Sequence, residues 1–241
     1  MSLLEIDPGW ITQSLAEYEH GLESDVWRAV DGLEGMATLR LVDTLAELQV
    51  LEQILADSLP PLPPEAAHLD PWLGTPFRHT GLHPSRFRPA QATGIWYGAD
   101  SPEAACAEVG YWRWRFLMDS EGLRGGHLVG TLTVFRAVVT GHCLNLDSLP
   151  WSDHAAVWSH PSDNRACLAL AGRAQAESVQ WIRYPSARSP DAYCAAVFDP
   201  LALDVADAHA QATWVLKVSA QRLILSHAHK RLEVPTQSWS G

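Results

Sequence analysis

The last third of the chain constrains the fold most. Four apolar, β-branched and aromatic runs follow one another there: "VQWIRYPSA" (179–187), "YCAAVFDP" (193–200), "ATWVLKV" (212–218) and "RLILSHAHKRLEV" (222–234). Runs of this length and composition read as strands. The short links between them leave no room for crossover helices, so the sheet they form is antiparallel or mixed. Two further runs, "TLTVFRAVV" (131–139) and "CLNLD" (143–147), join it, and "GIWYGA" (94–99) supplies a short strand before them. Helices are fewer. "SPEAACAEVGYWRWRF" opens with Ser101 as a cap, Pro102 at the first helical position and Glu103 at the positive end of the dipole, which predicts a helix over 102–119. Its expected core stripe is Ala105, Val109, Trp112 and Phe116, with Glu108 at the stripe's border. "SDNRACLALAGRAQAE" (162–177) predicts a second helix. The sum is an α+β fold.

The N-terminal part reads differently. Residues 1–65 are expected to be mostly helical. Leu41, Leu45, Leu48, Leu51, Leu55 and Leu59 recur at steps of three or four, and "PPLPP" at 60–64 ends the run. The expected organisation is a helical extension over 1–67 docked on a main domain over 68–241.

Composition excludes several function classes. The net charge is −11, and only two of the seventeen basic residues are lysines. An acidic chain without a basic cluster is a poor binder of nucleic acid backbones and better suited to a basic protein partner. No apolar run is long enough to span a membrane and the N-terminus lacks a secretory pattern, which points to a cytoplasmic protein. Four scattered cysteines with no CxxC pair read as reduced thiols. There is no GxGxxG after a strand, no GxxxxGK[ST] and no GxSxG, so dinucleotide-binding dehydrogenases, phosphate-loop enzymes and nucleophile-elbow hydrolases are disfavoured. The histidines, including the "HAH" at 227–229, have no partners at metal-site spacing, so no metal is expected. Of the eleven tryptophans, most belong to a core or interface, and one or two could line a ring-binding pocket.

Three stretches carry candidate chemistry. Glu108 is either a surface acid paired with an arginine or a carboxylate at a pocket mouth. Arg78, Arg86 and Arg88, in "PFRHTGLHPSRFRPA", are either solvated loop charges or a phosphate clamp. Ser186, in "RYPSARSPDAY", follows a strand and a proline, where a turn serine is the plain reading. A nucleophilic cysteine paired in space with a histidine stays open as a further alternative.

Taken in order, these stretches resemble the RES domain family, named for an arginine, a glutamate and a serine. The matching pieces are "PFR" with Arg78, "SRFR" with Arg86, "WYGADSPEAACAEV" with Tyr97 and Glu108, and "IRYPSAR" with Ser186, spanning roughly 75–200. The chain departs from the family pattern where asparagines are usual, at Tyr193 and Asp199. The resemblance implies a fold similar to ADP-ribosyltransferases, NAD as substrate without a metal, and a toxin paired with an antitoxin carrying an Xre-like helix-turn-helix domain. It implies cleavage of the nicotinamide–ribose bond with water or phosphate as acceptor, or transfer of ADP-ribose to a protein. A domain that binds a nucleotide or a protein without turnover is the alternative from another class. In the enzymatic reading Glu108, Arg86 and Tyr97 are catalytic, and Arg78 and Ser186 bind substrate. Ser186 would bond to a phosphate or orient Glu108.

Overall fold

The computed structural model describes residues 21–31, 42–204 and 211–239. The fold is α+β, built on one mostly antiparallel sheet. In chain order the strands are β1 (Ser24–Asp31), β2 (Trp96–Ala99), β3 (His127–Val139), β4 (Cys143–Asn145), β5 (Trp181–Pro185), β6 (Tyr193–Val197), β7 (Leu203–Asp204), β8 (Gln211–Ser219), β9 (Arg222–His227) and β10 (Lys230–Pro235). The helices are α1 (Leu45–Ser58), α2 (Pro71–Arg78), α3 (Pro102–Asp119), α4 (Ala155–Trp158) and α5 (Arg165–Ala176). The strands lie in the order β10-β9-β8-β3-β1-β2-β6-β5-β4, with β7 against the end of β3; only β4 and β5 run parallel.

Strand β1 corrects the helical reading of the N-terminal part. It pairs with β3 along its whole length, from Ser24 opposite Val139 to Asp31 opposite Leu132. The signal was present in "VWRAVD", where side chains alternate across the strand: Val26 enters one apolar cluster, while Trp27 and Ala29 join the other. Against β2, by contrast, β1 shares a single paired position, Trp27 opposite Ala99. The two strands part there, and the parting matters for the site.

Helix α1 covers most of the expected leucine stripe, but the stripe is not core. Leu48 and Leu51 are half-buried, whereas Leu45, Leu55 and Leu59 are exposed; Leu41 falls outside the described residues. The run read as one strand over 222–234 is a hairpin, because Ala228 takes a positive φ of 49° and turns the chain between β9 and β10. His227 therefore ends a strand and His229 lies in the turn, so the two rings do not share a strand face.

Two apolar clusters hold the sheet. One joins α3 and α5 to the sheet, through Tyr111, Trp114 and Leu170 with Trp158, Leu216 and Leu223. The other joins Leu73 and Phe77 of α2 to Val26, Trp96, Phe135 and Trp181. Helix α3 runs as expected, capped by the Ser101 hydroxyl, which accepts from the Ala104 amide at 3.2 Å. Its buried face is the expected one only in part: Ala105 is buried and Val109 packs on the core. Ala104, Ala107, Tyr111 and Trp114 are buried, while Trp112 and Phe116 are exposed. Small residues explain the choice of face. Gly110 lies against the Leu223 side chain, and any Cβ there would collide with it. The alanine and glycine side brings the helix close to the sheet, which bulky Trp112 and Phe116 would prevent.

Candidate active site

A cavity of about 490 Å³ opens where β1 and β2 part, within the usual range for small-molecule sites. Trp27 and Arg28 come to it from β1, Tyr97 from β2, Glu108 and Trp112 from α3, and Arg86 from the loop between α2 and β2. Of the described tryptophans, Trp27 and Trp112 are at the cavity wall, while Trp96, Trp151, Trp158 and Trp181 are fully buried.

Glu108 is half-buried and held from behind. The Ser186 hydroxyl donates to its Oε1 at 2.7 Å, and the Cys194 thiol approaches the same oxygen at 3.7 Å. Ser186 is itself fixed: its Oγ accepts from the backbone amides of Arg188 and Ser189, both at 3.1 Å. Just past the end of β5, the serine thus turns the chain and orients the carboxylate at once. Of the two roles left open for Ser186, the hydrogen bond to Glu108 is the one present. Where the family pattern has asparagines, Tyr193 and Asp199 bond away from Ser186 and Glu108. Tyr193 donates its hydroxyl to Asp147, and Asp199 accepts from the Gln180 amide at 2.8 Å and caps the turn at Leu201.

The cationic wall is built on backbone carbonyls. Arg86 donates Nη1 to the Trp158 carbonyl at 2.8 Å and Nη2 to that of His160 at 3.0 Å. Tyr97 positions the loop that carries it. Its buried hydroxyl accepts from the Phe87 amide at 3.2 Å and shares a hydrogen bond with the Ser85 hydroxyl at 2.8 Å. Burial raises the Tyr97 pKa above a phenol's ordinary value, so the group stays a neutral phenol. Arg88, in the same loop, spends its guanidinium on the carbonyls of Gly81, Ala92 and His83. It packs so closely on Gly81 that a side chain there would strike it. Arg88 therefore shapes the loop.

Arg78 is not brought to the cavity. It ends α2 and reaches the Pro60 carbonyl at 3.4 Å. Arginines that the sequence reading did not single out are at the cavity wall instead, among them Arg28, Arg188 and Arg115, the last paired with Asp119. Arg28 donates to the Tyr97 carbonyl at 2.8 Å, across the gap between β1 and β2, and lies 5.5 Å over the Trp96 ring. Its Nε has no hydrogen-bond partner. Burial draws its pKa down to about 10, which still leaves it a cation at neutral pH. The period-two pattern of "VWRAVD" could have found Arg28; Arg188 lies within the quoted "IRYPSAR".

The cysteines do not support a thiol nucleophile. All four are free and buried. Burial pushes Cys106 and Cys143 up to about 12, and raises Cys167 and, most strongly, Cys194, where the neighbouring Glu108 charge adds to it. Thiols held protonated are poor nucleophiles. Among the described residues no group of three or more metal-ligating side chains comes together, and no helix is long and apolar enough to cross a membrane.

A family model described as the RES domain matches residues 63–219. The chain belongs to the RES domain family. Among solved structures, it is similar to the one titled as the crystal structure of the M. tuberculosis MbcT–MbcA toxin–antitoxin complex, at 14% identity and a TM-score of 0.49, over 89% of this chain and 94% of that one. No curated protein matches it. The matched segment of this RES domain chain starts after β1, so the strand that carries Arg28 lies outside it.

Proposed function

We propose that this RES domain protein is a cytoplasmic toxin that cleaves NAD at the nicotinamide–ribose bond, with water or phosphate as acceptor. The observation that carries the reading is Glu108 itself: a carboxylate at a cavity wall, fixed by a serine hydroxyl at 2.7 Å and faced by arginines. Breaking the glycosidic bond builds positive charge on the ribose. A fixed carboxylate stabilises that charge and accepts a hydrogen bond from a ribose hydroxyl. In this reading Glu108 acts on the ribose, Arg86 and Arg28 hold the pyrophosphate, and Trp27 or Tyr97 flanks a ring of the dinucleotide. Ser186 and the Tyr97 hydroxyl are positioning groups, one for Glu108 and one for the Arg86 loop. Nicotinamide leaves as a neutral base, so the step needs no metal. Family membership supports the toxin reading and, with it, an antitoxin partner bearing an Xre-like helix-turn-helix domain.

Nicotinamide release from NAD by the purified protein, wild type beside Glu108→Gln, tests the proposal. Release by the wild type alone supports it. If the wild type binds NAD and releases nothing until a cell lysate is added, and label from NAD then appears on protein, transfer of ADP-ribose to a protein replaces NAD breakdown. Binding without release under either condition leaves a nucleotide-binding domain.

A further inference from the structure

Arg188 follows Ser186 by two residues, in the turn between β5 and β6. It is only 5% exposed, yet it borders the cavity. Its guanidinium lies on the Tyr111 ring, with Cζ 3.3 Å from the ring centre, and Nη2 donates to the Pro161 carbonyl. Nε and Nη1 have no hydrogen-bond partner. Buried donors left unmet cost free energy, and native proteins rarely keep two on one side chain. Arg88 shows the ordinary alternative, with both Nη groups on loop carbonyls.

The surroundings identify the ligand chemistry. Glu108 acts electrostatically on Arg188 but forms no ion pair with it among the described residues. Among the described residues Glu108 is the one acid at the cavity wall, against Arg28, Arg86, Arg88, Arg115 and Arg188. A chain of net charge −11 thus concentrates positive charge here, which suits a multiply charged anion. The Tyr111 ring fixes the plane of the guanidinium, so its free N–H groups point in set directions.

We propose that Arg188, backed by Tyr111, is an oxyanion subsite that takes a phosphate oxygen at the Glu108 end of the cavity. The proposal deepens the NAD reading and rests on it for turnover. The phosphate has two possible sources, the dinucleotide's pyrophosphate or inorganic phosphate arriving as acceptor. In the second case the C–N bond to nicotinamide breaks, with its electron pair going to the ring nitrogen. A phosphate oxygen then forms the new C–O bond at the same ribose carbon. The proton of hydrogen phosphate stays on the ester or passes to solvent.

The test is calorimetric titration of the full chain with inorganic phosphate and, separately, with ADP, for wild type, Arg188→Met and Arg188→Lys. Loss of roughly tenfold or more in affinity for either anion in Arg188→Met, with a smaller loss in Arg188→Lys, supports the subsite. A loss for ADP alone assigns it to the pyrophosphate. A loss for phosphate assigns it to the acceptor, and phosphate-stimulated nicotinamide release then falls in parallel. Affinities within about twofold of wild type for both anions overturn the proposal, as does a wild type that binds neither. Should Arg188→Met fail to fold, Arg188→Lys decides by the same criteria. A wild type that binds these anions through Arg188 but never releases nicotinamide refutes the NAD reading and leaves the subsite standing.

Discussion

The two walls of the cavity are held in opposite ways. On the acidic wall one carboxylate depends on one hydroxyl, Ser186 to Glu108, and that hydroxyl depends on two backbone amides. On the cationic wall Arg86, Arg28 and Arg188 are each tied to backbone carbonyls, of Trp158 and His160, of Tyr97 and of Pro161. The acidic wall is a single chain of contacts with one functional end. The cationic wall is redundant, with three charges anchored on separate carbonyls. Damage should therefore be concentrated on the first wall and graded on the second.

Glu108→Gln attacks the end of the acidic chain. It should lower kcat for nicotinamide release by roughly 10²- to 10³-fold, with NAD binding by calorimetry nearly unchanged. A loss of binding in place of turnover would move Glu108 to a substrate-anchoring role. Arg86→Lys keeps the charge but loses the planar geometry that reaches both carbonyls. The expected loss is about 10- to 100-fold in kcat/KM, measured by steady-state kinetics. If Arg86→Lys were as damaging as Glu108→Gln, the cationic wall would not be redundant. Ser186→Ala frees Glu108 without removing it. About a tenfold fall in kcat with KM little changed is expected, and Ser186→Thr should restore part of it. Tyr97→Phe removes the acceptor for the Phe87 amide. It should cost about 1 kcal/mol of stability, read as a drop of about 2–4 °C in Tm, with a modest rise in KM. Cys194→Ala should leave kcat within about twofold, because the thiol's contact with Glu108 is long and weak. A large loss there would reopen a role for the thiol.

Legibility in the sequence divides along the same lines. Glu108, Arg86 and Tyr97 were singled out by the resemblance to the family motif; their own segments left Glu108 and Arg86 open between surface charge and site, and gave Tyr97 only a place on a short strand. Ser186 was found too, although its partner is 78 positions away and only the fold joins them. Arg28 was missed because β1 lies inside the 1–65 stretch read as helical; its strand character rests on pairing with a partner far along the chain. Arg78 was assigned to the wrong place because a loop arginine's direction is set by the packing of α2, which its neighbours do not reveal. The face of α3 was read correctly at Ala105 and Val109 and misjudged at Trp112 and Phe116, for a physical reason as well. Periodicity marks several faces of a helix rich in both small and aromatic residues, and the close approach at Gly110 chose the small one. The leucine stripe of α1 shows the converse: a regular apolar period identifies a helix without saying what it packs on.

The placement of β1 has a consequence for how the molecule comes into being. Ser24 waits for Val139, so the middle of the sheet closes through a contact between distant parts of the chain, the kind that makes folding slow. The cavity then needs Arg28 near the start and Cys194 far beyond it. A nascent chain still emerging, or one nicked anywhere between and separated, holds an incomplete lining of the cavity.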